Sequence, residues 1–191
     1  SLDGEPTLYP YLPELIGAFH DRDITTFLVS DGTRPEVLDA WDPTQLYVSG
    51  DAGDRHTFDE TVAAMEDDAW ERLLDTRDVL AEKDETRTVI RTTLVDGFNM
   101  HTPEWYAVMC ERADIDFLEM KAYMYVGHSR SRLGHENMPS HEEVKAFTER
   151  VGEFLPDHDT FREVPDSRVT LLSRDEDTWV PKLKGGSEFW S

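Results

Sequence analysis

Cysteine is nearly absent from the sequence: Cys110 is the only one in 191 residues. A lone thiol allows no intrachain disulfide and cannot hold a structural zinc or an iron–sulfur cluster, each of which takes about three or four protein ligands. Cys110 sits within WYAVMCERA among apolar positions at helical spacing, which reads as a buried small hydrophobe. Long hydrophobic runs are missing too. Segments such as FLV at Phe27 to Val29 fall far short of the roughly 20 residues of a membrane span, and no signal-peptide pattern opens the chain. A cytoplasmic protein with no membrane partner is expected. The chain has no internal repeat and no low-complexity tract.

Positive charge is scarce. Nineteen basic residues stand against 41 acidic ones, for a net charge of −22, and five of the basic residues are lysines. Such a surface repels a phosphate backbone at low salt. In a salt-rich cytoplasm the Debye length shrinks to about 3 Å at 1 M and acidic self-repulsion is screened. A halophilic, haloarchaeal adaptation is the expectation.

What is present points to a folded domain: hydrophobic residues make up 38% of the chain, with five Trp and nine Phe. Runs rich in β-branched and aromatic residues predict strands at Ile24 to Ser30, Gln45 to Ser49, Thr88 to Val95 and Asp116 to Lys121. Apolar positions at three- and four-residue spacing predict helices at Tyr11 to Asp21, Arg34 to Trp41, Asp67 to Leu80 and Pro103 to Arg112. This βαβα order implies α/β architecture with a parallel sheet and functional residues at the carboxyl ends of the strands. A long loop, Ala122 to Pro139, precedes a helix with a capping box, Ser140 and Glu143. Asp159 to Val164 and Arg168 to Ser173 read as a strand pair turning at Pro165-Asp166, and the tail from Asp175 gives no element.

From Met120 to His135, sixteen residues, there is no acid, whereas the chain average predicts about three or four. Lys121, His128, Arg130 and Arg132 fall in this window, interleaved with Tyr123 and Tyr125. On an anionic chain this is where a phosphate can dock and a splayed base can stack, so these residues are the candidate RNA contacts. His56, His101, His135 and His141 show no zinc-type spacing and read as surface histidines. Trp41, Trp70 and Trp105 fall on apolar helix faces and read as core, while Trp179 and Trp190 lie near or in the tail.

Six ordered segments carry a more specific signal: SLDGEPTLYP, FLVSDGTRPE, DPTQLYVSGDA, AWERLLDT, TVIRTTLVDGFNM and FLEMKAYMYVGHSRSRLGHENMPSHEEV. Together they resemble the radical S-adenosylmethionine tRNA 4-demethylwyosine synthase family, over roughly Ser1 to Leu172. The resemblance implies a partial (β/α)6 barrel over residues 1–139, lacking its first β/α unit, and a C-terminal extension, residues 140–191, with a helix and a strand pair. It implies radical chemistry in which a [4Fe-4S] cluster cleaves S-adenosylmethionine and a tRNA N1-methylguanosine beside the anticodon is condensed with pyruvate. The family's cluster cysteines and its proposed Schiff-base lysine precede the GEP segment. An upstream segment is therefore expected, and this chain alone is expected to be inactive.

Residue by residue, the resemblance places Gly4 and Glu5 on the strand that contacts the methionine moiety of the cofactor. Ser30 and Asp31 end the next strand, where the family usually has Thr-Asn, and Asp31 loses a side-chain donor relative to asparagine. Ser49 and Asp51 end the strand after. Arg91 and Thr93 share one strand face and either point into the barrel or, for Arg91, pair with an acidic neighbour. No catalytic residue is assigned beyond Lys121 as a candidate. Two other readings stay open: another radical S-adenosylmethionine enzyme with the same barrel, or a non-catalytic acidic α/β binding module. Three cysteines spaced CxxxCxxC upstream would favour an enzyme.

Overall fold

The structure is a computed structural model that describes residues 4–62, 64 and 66–174. Its centre is a six-stranded sheet. β1 (Phe27–Ser30), β2 (Gln45–Ser49), β3 (Arg87–Leu94) and β4 (Phe117–Ala122) lie side by side in chain order, all parallel. β5 (Thr160–Val164) and β6 (Val169–Ser173) form a hairpin, and β6 continues the sheet antiparallel to β4. α1 (Leu12–His20) precedes β1, and between the strands run α2 (Pro35–Asp39), α3 (Arg55–Thr61), α4 (Ala69–Ala81), α5 (Pro103–Ala113) and α6 (His141–Gly152).

Parallel neighbours in chain order, joined by right-handed crossovers, place every connecting helix on the same side of the sheet. The burial pattern fits that rule. Leu28, Leu46, Val48, Ile90, Leu94, Leu118, Met120 and Ala122 point one way and join the core with Leu38, Leu73, Leu80, Ala107, Val144 and Val151 from the helices. Of their alternates, Val29, Tyr47, Ser49, Arg91, Thr93, Glu119 and Lys121 are half-buried, while Gln45, Val89 and Phe117, nearer the strand starts, are buried. A parallel sheet covered on both faces reads as continuous apolar runs; these strands alternate toward their carboxyl ends, so the second face is left open there.

Most predicted elements are present within one to three residues of their expected ends. The helix Arg55–Thr61 was not anticipated. Asp54 caps it, accepting from the Thr57 N–H at 3.0 Å and the Thr57 hydroxyl at 2.8 Å, a D-x-x-T signal too short to register as periodicity. Ser140 and Glu143 form the expected capping box, with the Ser140 N–H donating to Glu143 Oε2 at 2.7 Å. The 140–191 extension does not stand apart as far as it is described, because α6 packs on β4 and β6 and the hairpin shares their sheet. The tail from Asp175, with Trp179, Gly185, Gly186 and Trp190, lies outside the described residues.

Two sequence expectations need correction. Trp105 is 48% exposed on the outer face of α5, unlike Trp41, which is buried, and Trp70, which packs against the core. Tyr123 is 5% exposed, so its ring is not free to hold an extruded base. It directly follows β4, and its N–H donates to the Leu94 carbonyl at 2.8 Å, which continues the ladder and carries the side chain inward.

Candidate functional site

Strand register builds two polar rows across the open face. In the first, Ser49 lies opposite Arg91, and Arg91 opposite Glu119. Arg91 Nε donates to Glu119 Oε1 at 2.6 Å, and its guanidinium lies 4.3 Å from the centroid of the Tyr47 ring. Of the two readings for Arg91, the acidic pairing is therefore realised, and it is realised on the face that is open. Burial, with the Glu119 charge next in weight, pushes the Tyr47 phenol above its ordinary value.

In the second row, nearer the carboxyl ends of the strands, Thr93 lies opposite Lys121. The Thr93 N–H donates to Asp51 Oδ1 at 2.6 Å. Burial raises the Asp51 carboxyl above the usual aspartate range, opposed by the Thr93 hydrogen bonds and by the positive charges of Lys121 and Arg91. A carboxyl with a raised proton affinity and an amine thus flank Thr93, the carboxyl enclosed at the end of β3 and the half-buried amine on β4.

Beyond the end of β1, Glu5 is heavily engaged. Oε1 accepts from the Ser30 hydroxyl at 2.7 Å, the Thr7 hydroxyl at 2.8 Å and the Thr7 N–H at 3.2 Å, and Oε2 accepts from the Asp31 N–H at 2.8 Å. It caps the 3-10 turn Pro6–Leu8 and ties that turn to the strand. Gly4, just before it, has φ +82, a conformation that suits glycine. The Ser30 hydroxyl is buried and also accepts from the Gly32 N–H at 3.1 Å, so its hydrogen-bonding is taken up by protein. Asp31 is exposed, with Oδ1 accepting from the Thr33 N–H and hydroxyl at 2.9 and 2.7 Å. These residues are brought together, but the contacts drawn are mostly with one another.

The basic loop after β4 contains the 3-10 turns Gly127–Ser131 and His135–Asn137. Arg130 Nε donates to the Tyr125 carbonyl at 3.0 Å and its guanidinium sits 5.1 Å from the Tyr125 ring centroid. The other side of the cluster is His135, 6.0 Å from Tyr125 in an edge arrangement. Arg132 reaches the Thr61 carbonyl at 3.4 Å. Asn137 ties the loop to the end of β3, donating to the Asp96 carbonyl at 2.9 Å and accepting the Asp96 N–H on its own carbonyl at 2.9 Å.

Sequence reasoning missed Tyr47, Glu119 and Asn99. Period-two alternation could have placed the first two on the Arg91 face. Asn99 lies in DGFN, where nothing in the sequence points to its partner Asp51, 48 residues away.

Comparison with known proteins bears on this geometry. The family model described as wyosine base formation matches residues 112–174, the stretch from the end of α5 through β6. The S-adenosyl-L-methionine-dependent tRNA 4-demethylwyosine synthase of Pyrococcus horikoshii is 46% identical over 181 residues, covering 92% of this chain and 53% of its own length. That of Methanocaldococcus jannaschii is 41% identical over 186 residues, covering 96% of this chain and 57% of its own length. The chain belongs to the tRNA 4-demethylwyosine synthase family. A structure of TYW1 with a lysine–pyruvate adduct bound superimposes with a TM-score of 0.79 at 41% identity, covering 91% of this chain and 55% of that one. Coproporphyrinogen III oxidase of Escherichia coli, a radical S-adenosylmethionine enzyme, shares the fold at a TM-score of 0.50 and 15% identity, covering 85% of this chain and 40% of that one. The chain spans about half the length of these curated tRNA 4-demethylwyosine synthases.

Among the described residues of this chain nothing fits an iron–sulfur cluster. Cys110 is buried and burial pushes its thiol up to about 12, far from the thiolate that binds iron. Among the described residues no group of three or more His, Cys, Asp or Glu is placed to hold a metal. S-adenosylmethionine fits better: the open face offers the Arg91 guanidinium, the Lys121 ammonium and the Ser49 hydroxyl to a carboxylate and a ribose.

Proposed function

We propose that this chain forms most of the substrate-facing wall of a tRNA 4-demethylwyosine synthase, with its open sheet face as the inside of a partial (β/α)6 barrel. One observation carries the reading: polar residues line that face toward the carboxyl ends of four parallel strands, where ligands bind in such architectures. S-adenosylmethionine, cleaved at a [4Fe-4S] cluster held by other residues, would supply the radical that takes hydrogen from the N1-methyl of the tRNA guanosine. This chain's residues bind, orient and shield. Ser49, Arg91 and Thr93 face the cofactor, with Asp51 beside them, while Gly4, Glu5, Ser30 and Asp31 shape the strand end at its rim.

Pyruvate, the two-carbon donor, is drawn in by the same positive groups, Arg91 and Lys121. The TYW1 structure with its lysine–pyruvate adduct supports that substrate. Tyr125, Arg130 and Arg132, on the one acid-free stretch, receive the tRNA backbone. The acidic remainder of the surface suits a protein working in high salt, and unfolding against potassium chloride concentration measures that directly. No helix among the described residues is long and apolar enough to cross a membrane.

Full-length protein reconstituted anaerobically with iron and sulfide is expected to cleave S-adenosylmethionine and to form the tricyclic base on N1-methylguanosine tRNA given pyruvate. Cleavage without tricyclic product under those conditions would overturn the assignment.

A further inference from the structure

Asn99 is fully buried, and its side chain makes three hydrogen bonds to backbone. Nδ2 donates to the Asp51 carbonyl at 2.9 Å and to the Thr93 carbonyl at 2.8 Å, while Oδ1 accepts from the Val95 N–H at 2.7 Å. Only this orientation of the amide satisfies all three; the flipped one would set an oxygen against two carbonyls. The Asn99 carbonyl accepts from the Tyr106 hydroxyl at 2.8 Å, which fixes the segment from below.

The consequence reaches the open face. Asn99 grips the backbones of Asp51 and Thr93, and those two residues are joined a second time where the Thr93 N–H meets the Asp51 carboxylate. The segment after β2 and the end of β3 are therefore locked at two points. Thr93 is opposite Lys121 on β4, so the lock sets the spacing between the carboxylate and the amine.

We infer that Asn99 is a positioning residue that holds the Asp51 carboxyl on the β2 side of Thr93, with Lys121 across Thr93 on β4, as two groups that handle a proton for a carbonyl or imine substrate. This rests on the open face being the substrate side. A proton passes from the Asp51 carboxyl to a substrate oxygen or nitrogen and returns, with Lys121 balancing the charge, so no further reactant is needed. The charged and titratable groups that act on Asp51 or feel its charge are Lys121 from β4, Arg91 from β3 and Tyr106 from α5.

The test follows the titration of the Asp51 carboxyl carbon by NMR in the full-length protein, assigned by loss of its signal in Asp51→Asn. The wild type is expected to titrate above the ordinary aspartate value. In Asn99→Ala the segment loosens, water reaches the carboxyl, and the midpoint is expected to fall by about one pH unit. Thr148→Val breaks a buried hydroxyl pair with Thr170 at 2.7 Å, on α6 and β6, and serves as a control for lost stability alone; it is expected to leave the midpoint in place. If Asn99→Ala does not fold, Asn99→Ser keeps a small hydroxyl there and is expected to give an intermediate midpoint. An unchanged midpoint in a folded Asn99 variant, or an equal fall in Thr148→Val, overturns the inference. The titration needs neither cofactor nor tRNA, so it stands or falls apart from the synthase activity.

Discussion

Arg91 donates to Glu119 at 2.6 Å across two neighbouring parallel strands, with side chains 28% and 16% exposed. Both charges are substantially removed from water, so each depends on the other for compensation. The guanidinium also covers the Tyr47 ring, which only a planar cation does well. Glu119 uses one oxygen on Nε, which leaves the terminal guanidinium nitrogens of Arg91 to meet an anion on the open face.

Glu119→Gln is expected to cost about 1–3 kcal/mol, and Arg91→Lys to lose the ring contact as well. A double-mutant cycle read by chemical denaturation should return a coupling of at least about 0.5 kcal/mol between the two sites. Additive effects would show that solvent, and not the partner, compensates each charge.

The sheet was legible because strand alternation and helix periodicity are local signals, the first carried by β1 to β4 and the second by the helices between them. The open face was legible too: Arg91 and Thr93 stand two residues apart, so their common side follows from strand geometry. The partners were not. Glu119 lies 28 residues from Arg91 and Asn99 lies 48 from Asp51, and only the folded register brings them together. Tyr123 misled for the related reason that it follows a strand and inherits its inward direction, although the sequence around it is basic and loop-like.

Glu5 carries four protein hydrogen bonds, so its loss should act on structure as well as on the cofactor. Glu5→Ala is expected to lower stability by about 1.5–3 kcal/mol, the range for hydrogen bonds to a charged group, and to weaken S-adenosylmethionine binding. Calorimetry on the full-length protein separates the two. A large affinity loss with unchanged Tm would mean that Glu5 acts on the ligand directly.

Gly32 has φ +77, and a Cβ there would stand 2.8 Å from Leu73 Cδ1 and from Val48 Cγ1. Gly32→Ala therefore combines a left-handed backbone with overpacking, each worth roughly 1–3 kcal/mol. Thermal unfolding should show one of the largest drops of any single glycine change. A drop near 0.5 kcal/mol would mean that the turn after β1 relaxes freely.

Asp51 has its proton affinity raised in the folded state, chiefly by burial. The native protein therefore binds more proton than the unfolded chain above the ordinary aspartate value of about 3.9, and stability falls as pH rises through the folded value. Asp51→Asn removes that dependence. The variant should match the wild type below about pH 4 and gain on it toward neutrality, each ~1 kcal/mol of difference reading as roughly 2–4 °C in Tm. An opposite trend, with the variant losing ground as pH rises, would mean that Lys121 and the Thr93 hydrogen bonds outweigh burial.

The basic loop gives the clearest separation of fold from function. Arg130 and Arg132 are exposed, and their recorded hydrogen bonds go to the Tyr125 and Thr61 carbonyls, with no carboxylate within 4 Å among the described residues. Glu119, a conceivable internal partner, is taken by Arg91. Replacing both arginines by alanine should therefore change stability by no more than about 0.5 kcal/mol, as for surface changes that break no buried contact. The effect on tRNA should be large, because a polyanion approaching a chain of net charge −22 meets few other places free of repulsion. In the full-length protein the double variant is expected to keep S-adenosylmethionine cleavage, lose tRNA modification, and flatten the salt dependence of tRNA binding by about 0.7 for each phosphate contact removed. Arg130 stacked on Tyr125, with His135 at its edge, suits a nucleotide that is gripped at the phosphate and stacked at the base. Tyr125→Leu should then weaken binding without altering the salt slope, since stacking releases no counterions. A double variant that modifies tRNA at the parental rate over a range of salt would move the RNA surface away from this loop.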